Sequence, residues 1–152
     1  MGIYALTGPT TKFQGNELLA LASKDTLHLS LAAEAENVAF ARRAVGELAE
    51  GLGMQEPRLG DVKTIVTEAT SKVVRHAYLS EPGSFELEAS PVEGELAVVV
   101  RDFGQGMQAR IPEGEPSLRL GLGLISMLSS HYEIRDHEQG GTEVRMRLAL
   151  GH

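Results

Sequence analysis

The densest run of chemically capable side chains is Thr67-Glu68-Ala69-Thr70-Ser71-Lys72-Val73-Val74-Arg75-His76. On a helix, where successive residues turn by about 100°, Glu68, Lys72 and Arg75 share one face opposite much of the apolar stripe. A carboxylate and two cations so placed can line a cleft. The plainer alternative is a solvated face with a Glu-Lys pair, worth about 0.3 kcal/mol. His76 alone reads as a satisfied, half-buried histidine rather than a catalyst. A second group is Asp102-Phe103-Gly104-Gln105-Gly106-Met107, directly after the apolar run Leu96 to Val100. An Asp leaving a buried strand can accept a hydrogen bond from the exocyclic amine of adenine, and nearby glycines let backbone approach a ligand. Its alternative is a strand exit capped by Asp. The third group, Gly121-Leu122-Gly123-Leu124, opens a predicted helix whose first N–H groups and dipole favour a phosphate. Its alternative is a loop that ends in glycines.

These groups need elements to hold them. Thr26 to Leu31 alternates polar and apolar, which predicts a half-buried strand. Val38, Ala41, Val45, Leu48 and Leu52 recur at helical spacing and predict a helix over Glu34 to Leu52. A second helix is expected after Pro57, running to about Tyr78 on the stripe Val62, Ile65, Val66, Ala69, Val73 and Ala77. Strands are expected at Ser84 to Ala89 and Glu95 to Arg101, with a turn at Glu93 and Gly94. From Asp102 to Leu120 the chain reads as a long glycine-rich loop, because Pro112 and Pro116 interrupt a helix. A short helix from about Leu122 to Ser130 and strands at Tyr132 to His137 and Thr142 to Leu148, turned by Gly140 and Gly141, close the prediction. Residues 1–24 show no sustained period and read as an N-terminal extension, leaving one domain over 25–152. Helices set apart from the strands in sequence predict an α+β fold: a two-layer α/β sandwich with a mixed, mostly antiparallel sheet and helices on one face.

Composition narrows the function classes. At 152 residues there is room for one ordinary domain, and 42% hydrophobic with 23% charged residues is the balance of a globular chain. No apolar stretch reaches the roughly 20 residues of a membrane span, and no basic region followed by an apolar core predicts secretion, so a cytoplasmic location is expected. The 14 Lys and Arg against 21 Asp and Glu give a net charge of -7, which predicts no direct nucleic-acid partner. Without cysteine there are no disulfides, thiolate metal sites or cysteine nucleophiles.

The order and spacing of the three groups resemble the GHKL ATPase superfamily, the histidine-kinase-like ATPase domains, and within it the bacterial anti-sigma-factor serine/threonine kinases of sporulation and stress-response partner switching. Thr67 to Tyr78 is similar to that family's N box, Asp102 to Gly106 to its first glycine box, Gly121 to Leu124 to its second, and Gly140-Gly141-Thr142 to its closing motif. The resemblance implies a GHKL (Bergerat) sandwich that binds ATP or ADP, holds a sigma factor, and phosphorylates a serine of an anti-sigma-factor antagonist. It implies Glu68 as the catalytic general base, and Asp102 assisted by Thr142 at the adenine. Gly104, Gly106, Gly121, Leu122 and Gly123 would shape the phosphate region under a lid from Met107 to Leu120. Lys72, Arg75 and His76 fall at nucleotide-side positions of the N box, and a homodimer is implied. One position departs from the pattern. The family carries an Asn one helical turn after the Glu, whose oxygen ligates magnesium, and here that position is Lys72. An ammonium donates and cannot accept, so no metal ligand is assigned. Two readings stay open: a kinase in which Lys72 neutralises the triphosphate, or a catalytically impaired binding module.

Overall fold

Four strands alternate so regularly that one face of a sheet must be apolar. Leu27, Leu29 and Leu31, then Phe85, Leu87 and Ala89, then Leu96, Val98 and Val100, and finally Val144, Met146 and Leu148 are all buried. Each fully buried Leu or Phe contributes about 1.5–3 kcal/mol, so this face strongly favours a covering layer. The computed structural model describes residues 17–22, 25–77, 82–104, 116–136 and 140–151. It contains β1 (Glu17–Ala22), β2 (Leu27–Ala32), α1 (Ala35–Gly51), α2 (Arg58–Lys72), β3 (Ser84–Val92), β4 (Glu95–Asp102), α3 (Pro116–Leu128), β5 (His131–Asp136) and β6 (Thr142–Ala149). The strands form one sheet in the order β1-β2-β3-β4-β6-β5, antiparallel at every pairing. This is the expected α+β sandwich, and among the described strands it has no parallel pair.

The covering layer comes from the helical stripes. Ala41, Val45 and Leu48 of α1, with Val62, Ile65, Val66 and Ala69 of α2 and Ile125 of α3, complete the core against the sheet. Asn37, itself buried, ties the start of α1 to the end of β2 by donating from Nδ2 to the Ala32 carbonyl at 2.9 Å. The start of α2 is held by Glu56, whose Oε1 accepts the Gly60 N–H at 2.9 Å. β3 and β4 meet at Glu93 and Gly94, both with positive φ (52° and 82°), the tight hairpin geometry that matches strand twist.

Several boundaries differ from expectation. β1 lies inside the stretch 1–24 that was assigned to an extension, and it pairs with β2. α2 ends at Lys72 and passes into a π-helical turn, Val73–Ala77, where one continuous helix was expected. β3 and β4 run on to Val92 and Asp102. α3 starts at Pro116 rather than Leu122, because proline lacks only an N–H that the first residue of a helix does not use. Among the described residues, no helix is long and apolar enough to cross a membrane.

Candidate functional site

Asp102 is the last residue of β4 and is 3% exposed. Its Oδ1 accepts the Gly104 N–H at 3.0 Å, which turns the chain sharply out of the sheet. Thr142, the first residue of β6, is buried, and its Oγ1 donates to Asp136 Oδ1 at 2.9 Å. Arg101 pairs with Glu143 in the β4–β6 ladder, so Asp102 and Thr142 stand one residue beyond that pair, at the same end of neighbouring strands. Gly141 makes the approach possible. A Cβ there would lie 2.2 Å from the Asp102 carbonyl oxygen, and its φ of +97° is one that L side chains rarely adopt. The expected closing motif and the expected adenine-binding Asp are therefore packed directly on each other. A carboxylate offers about four acceptor sites, so one carboxylate can accept from several donors at once.

The N-box residues divide differently from the helical-wheel expectation. Glu68 lies on α2 with 26% of its side chain exposed, and Arg75 is exposed in the π-helical turn, which also contains His76. Lys72 is not on a solvated face. Its side chain is 1% exposed, with Nζ 3.9 Å from Glu68 Oε1, one helical turn away. α2 packs on α1 and α3 and also touches β4 and β6, the strands that carry Asp102 and Thr142. Gly121, Leu122 and Gly123 lie well inside α3 rather than in its first turn, so their position differs from the expected helix opening. Gly106 and the first part of the expected lid, Met107 to Glu115, lie outside the described residues.

Magnesium does not fit this donor set. Among the described residues, no three His, Asp or Glu side chains gather as a metal-holding group. At the position where the resemblance implies an oxygen ligand stands a buried ammonium. Two like unit charges about 4 Å apart repel by about 4 kcal/mol at an effective dielectric of about 20, and a divalent ion by about twice that.

Two features escaped sequence reading. The first is a groove of about 640 Å³ between α1 and α2, lined by Arg42, Arg43, Glu47, Lys63 and Thr67 and reaching Glu68. Its signal was Gly46 in mid-helix, where an added Cβ would sit 2.6 Å from Lys63 Cε. The second is an ion-pair network on the outer sheet face. Arg101 donates to Glu143 Oε1 at 2.7 Å and to Glu86 Oε1 at 3.2 Å, and Arg145 also donates to Glu143. Burial pushes the Glu143 carboxyl up, but the hydrogen bonds from Arg101 and Arg145 outweigh it and hold the group at about 2. The period-2 alternation of Arg101, Glu143 and Arg145 placed them on one face; their partnership required the β4–β6 register.

A helix layer on an antiparallel sheet, with a buried Asp at a strand end, a Gly-Gly-Thr turn packed on it and the Glu68 helix in the covering layer, is an arrangement shared with a known class of domain. The chain belongs to the histidine kinase-like ATPase domain family, which matches residues 31–148. Its sequence relatives include proteins named anti-sigma F factor. The anti-sigma F factor of Oceanobacillus iheyensis is 32% identical over 137 residues, covering 84% of this chain and 94% of that protein. That of Halalkalibacterium halodurans is 30% identical over 120 residues, covering 74% and 82%. Among solved structures, the crystal structure of the RsbU and RsbW domains of Rv1364c from Mycobacterium tuberculosis matches with a TM-score of 0.66 at 22% identity. That match covers 85% of this chain and 33% of the other, so this chain spans about a third of a longer protein with the same fold in that part.

Proposed function

We propose that this chain is an anti-sigma regulatory factor: it holds a sigma factor, binds ATP or ADP, and releases its hold in exchange with an anti-sigma-factor antagonist. The observation that carries the nucleotide part is the buried Asp102 carboxylate at the end of β4, set against Gly141 and beside Thr142. The regulatory part rests on relatives named anti-sigma F factor that match along 94% of their own length. In the kinase form of this reading, Glu68 accepts the proton of an antagonist serine. The serine oxygen then bonds to the γ-phosphorus while the bond to the ADP oxygen breaks. The partly exposed side chain of Glu68, which lines the α1–α2 groove, is compatible with a protein substrate. A homodimer in the cytoplasm completes the reading.

A second reading, an impaired binding module, is favoured by one observation: the Lys72 ammonium shares the N box with Glu68 at 3.9 Å. Transfer of labelled phosphate from ATP to purified antagonist separates the two. Transfer that disappears in Glu68→Ala, with the variant still binding sigma factor, supports the kinase. Intact sigma binding without transfer, in wild type and in either magnesium or EDTA, supports the binding module.

A further inference from the structure

β5 is the last strand of the sheet, so among the described residues only its β6 side carries a strand. Such an edge is a template for pairing with another chain unless its side chains oppose it. Its charges follow a pattern set by the neighbouring strands. On the outer face, Arg101 of β4 stands opposite Glu143 of β6, and Glu143 stands opposite Arg135 of β5; in the next row, Arg145 stands opposite Glu133. Charge thus alternates in sign from strand to strand out to the edge. Glu133 and Arg135 are exposed and pair with each other along β5 at 2.8 Å, a contact of small worth in water. On the helix-side face, Tyr132 and Ile134 stand opposite the core residues Met146 and Val144. Ile134 is partly buried against the core, whereas Tyr132 is exposed, as is Met127 of α3, the helix that touches β5. Of the three exposed large hydrophobics among the described residues, two therefore belong to the adjoining α3 and β5.

We propose that β5 pairs antiparallel with β5 of a second copy of this chain, about a two-fold axis at Ile134, joining two sheets edge to edge. This pairing rests on the homodimer of the proposed function and names its interface. Register decides it. The axis must lie at a residue, because an axis between residues sets an outer-face side chain opposite a helix-side one. Centred on Glu133 or on Arg135, the pairing sets two like charges directly opposite each other, which opposes it. Centred on Ile134, it sets Glu133 opposite Arg135 of the second copy, twice over. A row then runs Arg101, Glu143, Arg135 and on to Glu133 and Arg145 of the second copy with no break in alternation. On the other face, Ile134 meets Ile134 of the second copy, with Tyr132 on the diagonal. The contact is isologous and closes as a dimer. A strand of six residues makes a small interface, so the dimer is reversible, with a dissociation constant on the order of 10 μM.

The test is sedimentation equilibrium of the full chain over roughly 1–200 μM, for wild type, Glu133→Arg, Arg135→Glu and an equimolar mixture of the two variants. Wild type is expected to dimerise reversibly. Each variant alone should associate at least about tenfold more weakly, because like charges then stand opposite each other twice. In the mixture every cross-copy pair is again opposite in sign, so association should return as a heterodimer. Hydrogen exchange on wild type supplies a readout that does not depend on the variants folding: β5 amides should gain protection as concentration rises. A wild-type chain that stays monomeric overturns both this interface and the homodimer reading. A dimer that both variants leave unchanged, a mixture that associates no better than either variant, or a dimer without added protection in β5 overturns the interface and leaves the homodimer reading standing.

Discussion

Glu143 shows at the level of one residue how the sheet's outer face is secured. Its side chain is 2% exposed and receives hydrogen bonds from Arg101 and Arg145, and its carboxyl is lowered from 4.5 to about 2. A depressed folded-state value means that the stabilisation is complete above about pH 4.5 and is lost as pH falls toward about 2. The shift corresponds to something on the order of 3 kcal/mol. Urea unfolding of wild type and Glu143→Gln should therefore differ by a constant amount near neutral pH, and the gap should close as the pH is taken below about 4. A gap that persists unchanged at the acid end contradicts the ionic account of this residue. Lys72 makes the complementary point about legibility. Its chemical departure from the family pattern was visible in the sequence, but its burial was not. A helical wheel records only its own helix, whereas α2 also packs on α3, β4 and β6.

At the element scale, the site depends on how closely the β5–β6 turn approaches the exit of β4. Gly141→Ala would set a Cβ 2.2 Å from the Asp102 carbonyl oxygen at a positive φ, so both backbone strain and displacement of Asp102 follow. A loss of more than about 2 kcal/mol in urea unfolding is expected, with nucleotide binding weakened in parallel. Gly123→Ala provides the contrast, since nothing lies within 4 Å of its added Cβ and the residue is inside α3. That change should raise stability by up to about 1 kcal/mol. If it also lowers ATP affinity, the second glycine motif touches the nucleotide as the family pattern implies; unchanged affinity removes Gly123 from the site. Strands and helices were largely legible here because apolar periodicity reports burial directly. The start of α3 was not, because Pro116 was taken as a helix breaker when its position at the first residue makes it a helix starter. The π-helical turn at Val73–Ala77 left no signal at all, since its residues keep the apolar spacing of an ordinary helix.

At the scale of the molecule, a single six-stranded sheet carries two separate chemistries on its two faces. The inner face builds the core and, at one end, carries the buried Asp102; the outer face is a lattice of Arg and Glu pairs. In the helix layer, Glu68 both lines the α1–α2 groove and pairs with Lys72. The overall sandwich could be read from the sequence, whereas the groove could not, since it exists only between two helices that meet in the folded layer. The proposed function makes this domain a nucleotide-responsive anti-sigma factor. The most direct measurement is the affinity of the full chain for its purified sigma factor with ATP, with ADP and with neither, for wild type and for Asp102→Asn. The account predicts sigma binding that is strengthened by nucleotide in wild type, and that is insensitive to nucleotide in Asp102→Asn. Absence of sigma binding, or binding indifferent to nucleotide in both proteins, would contradict it.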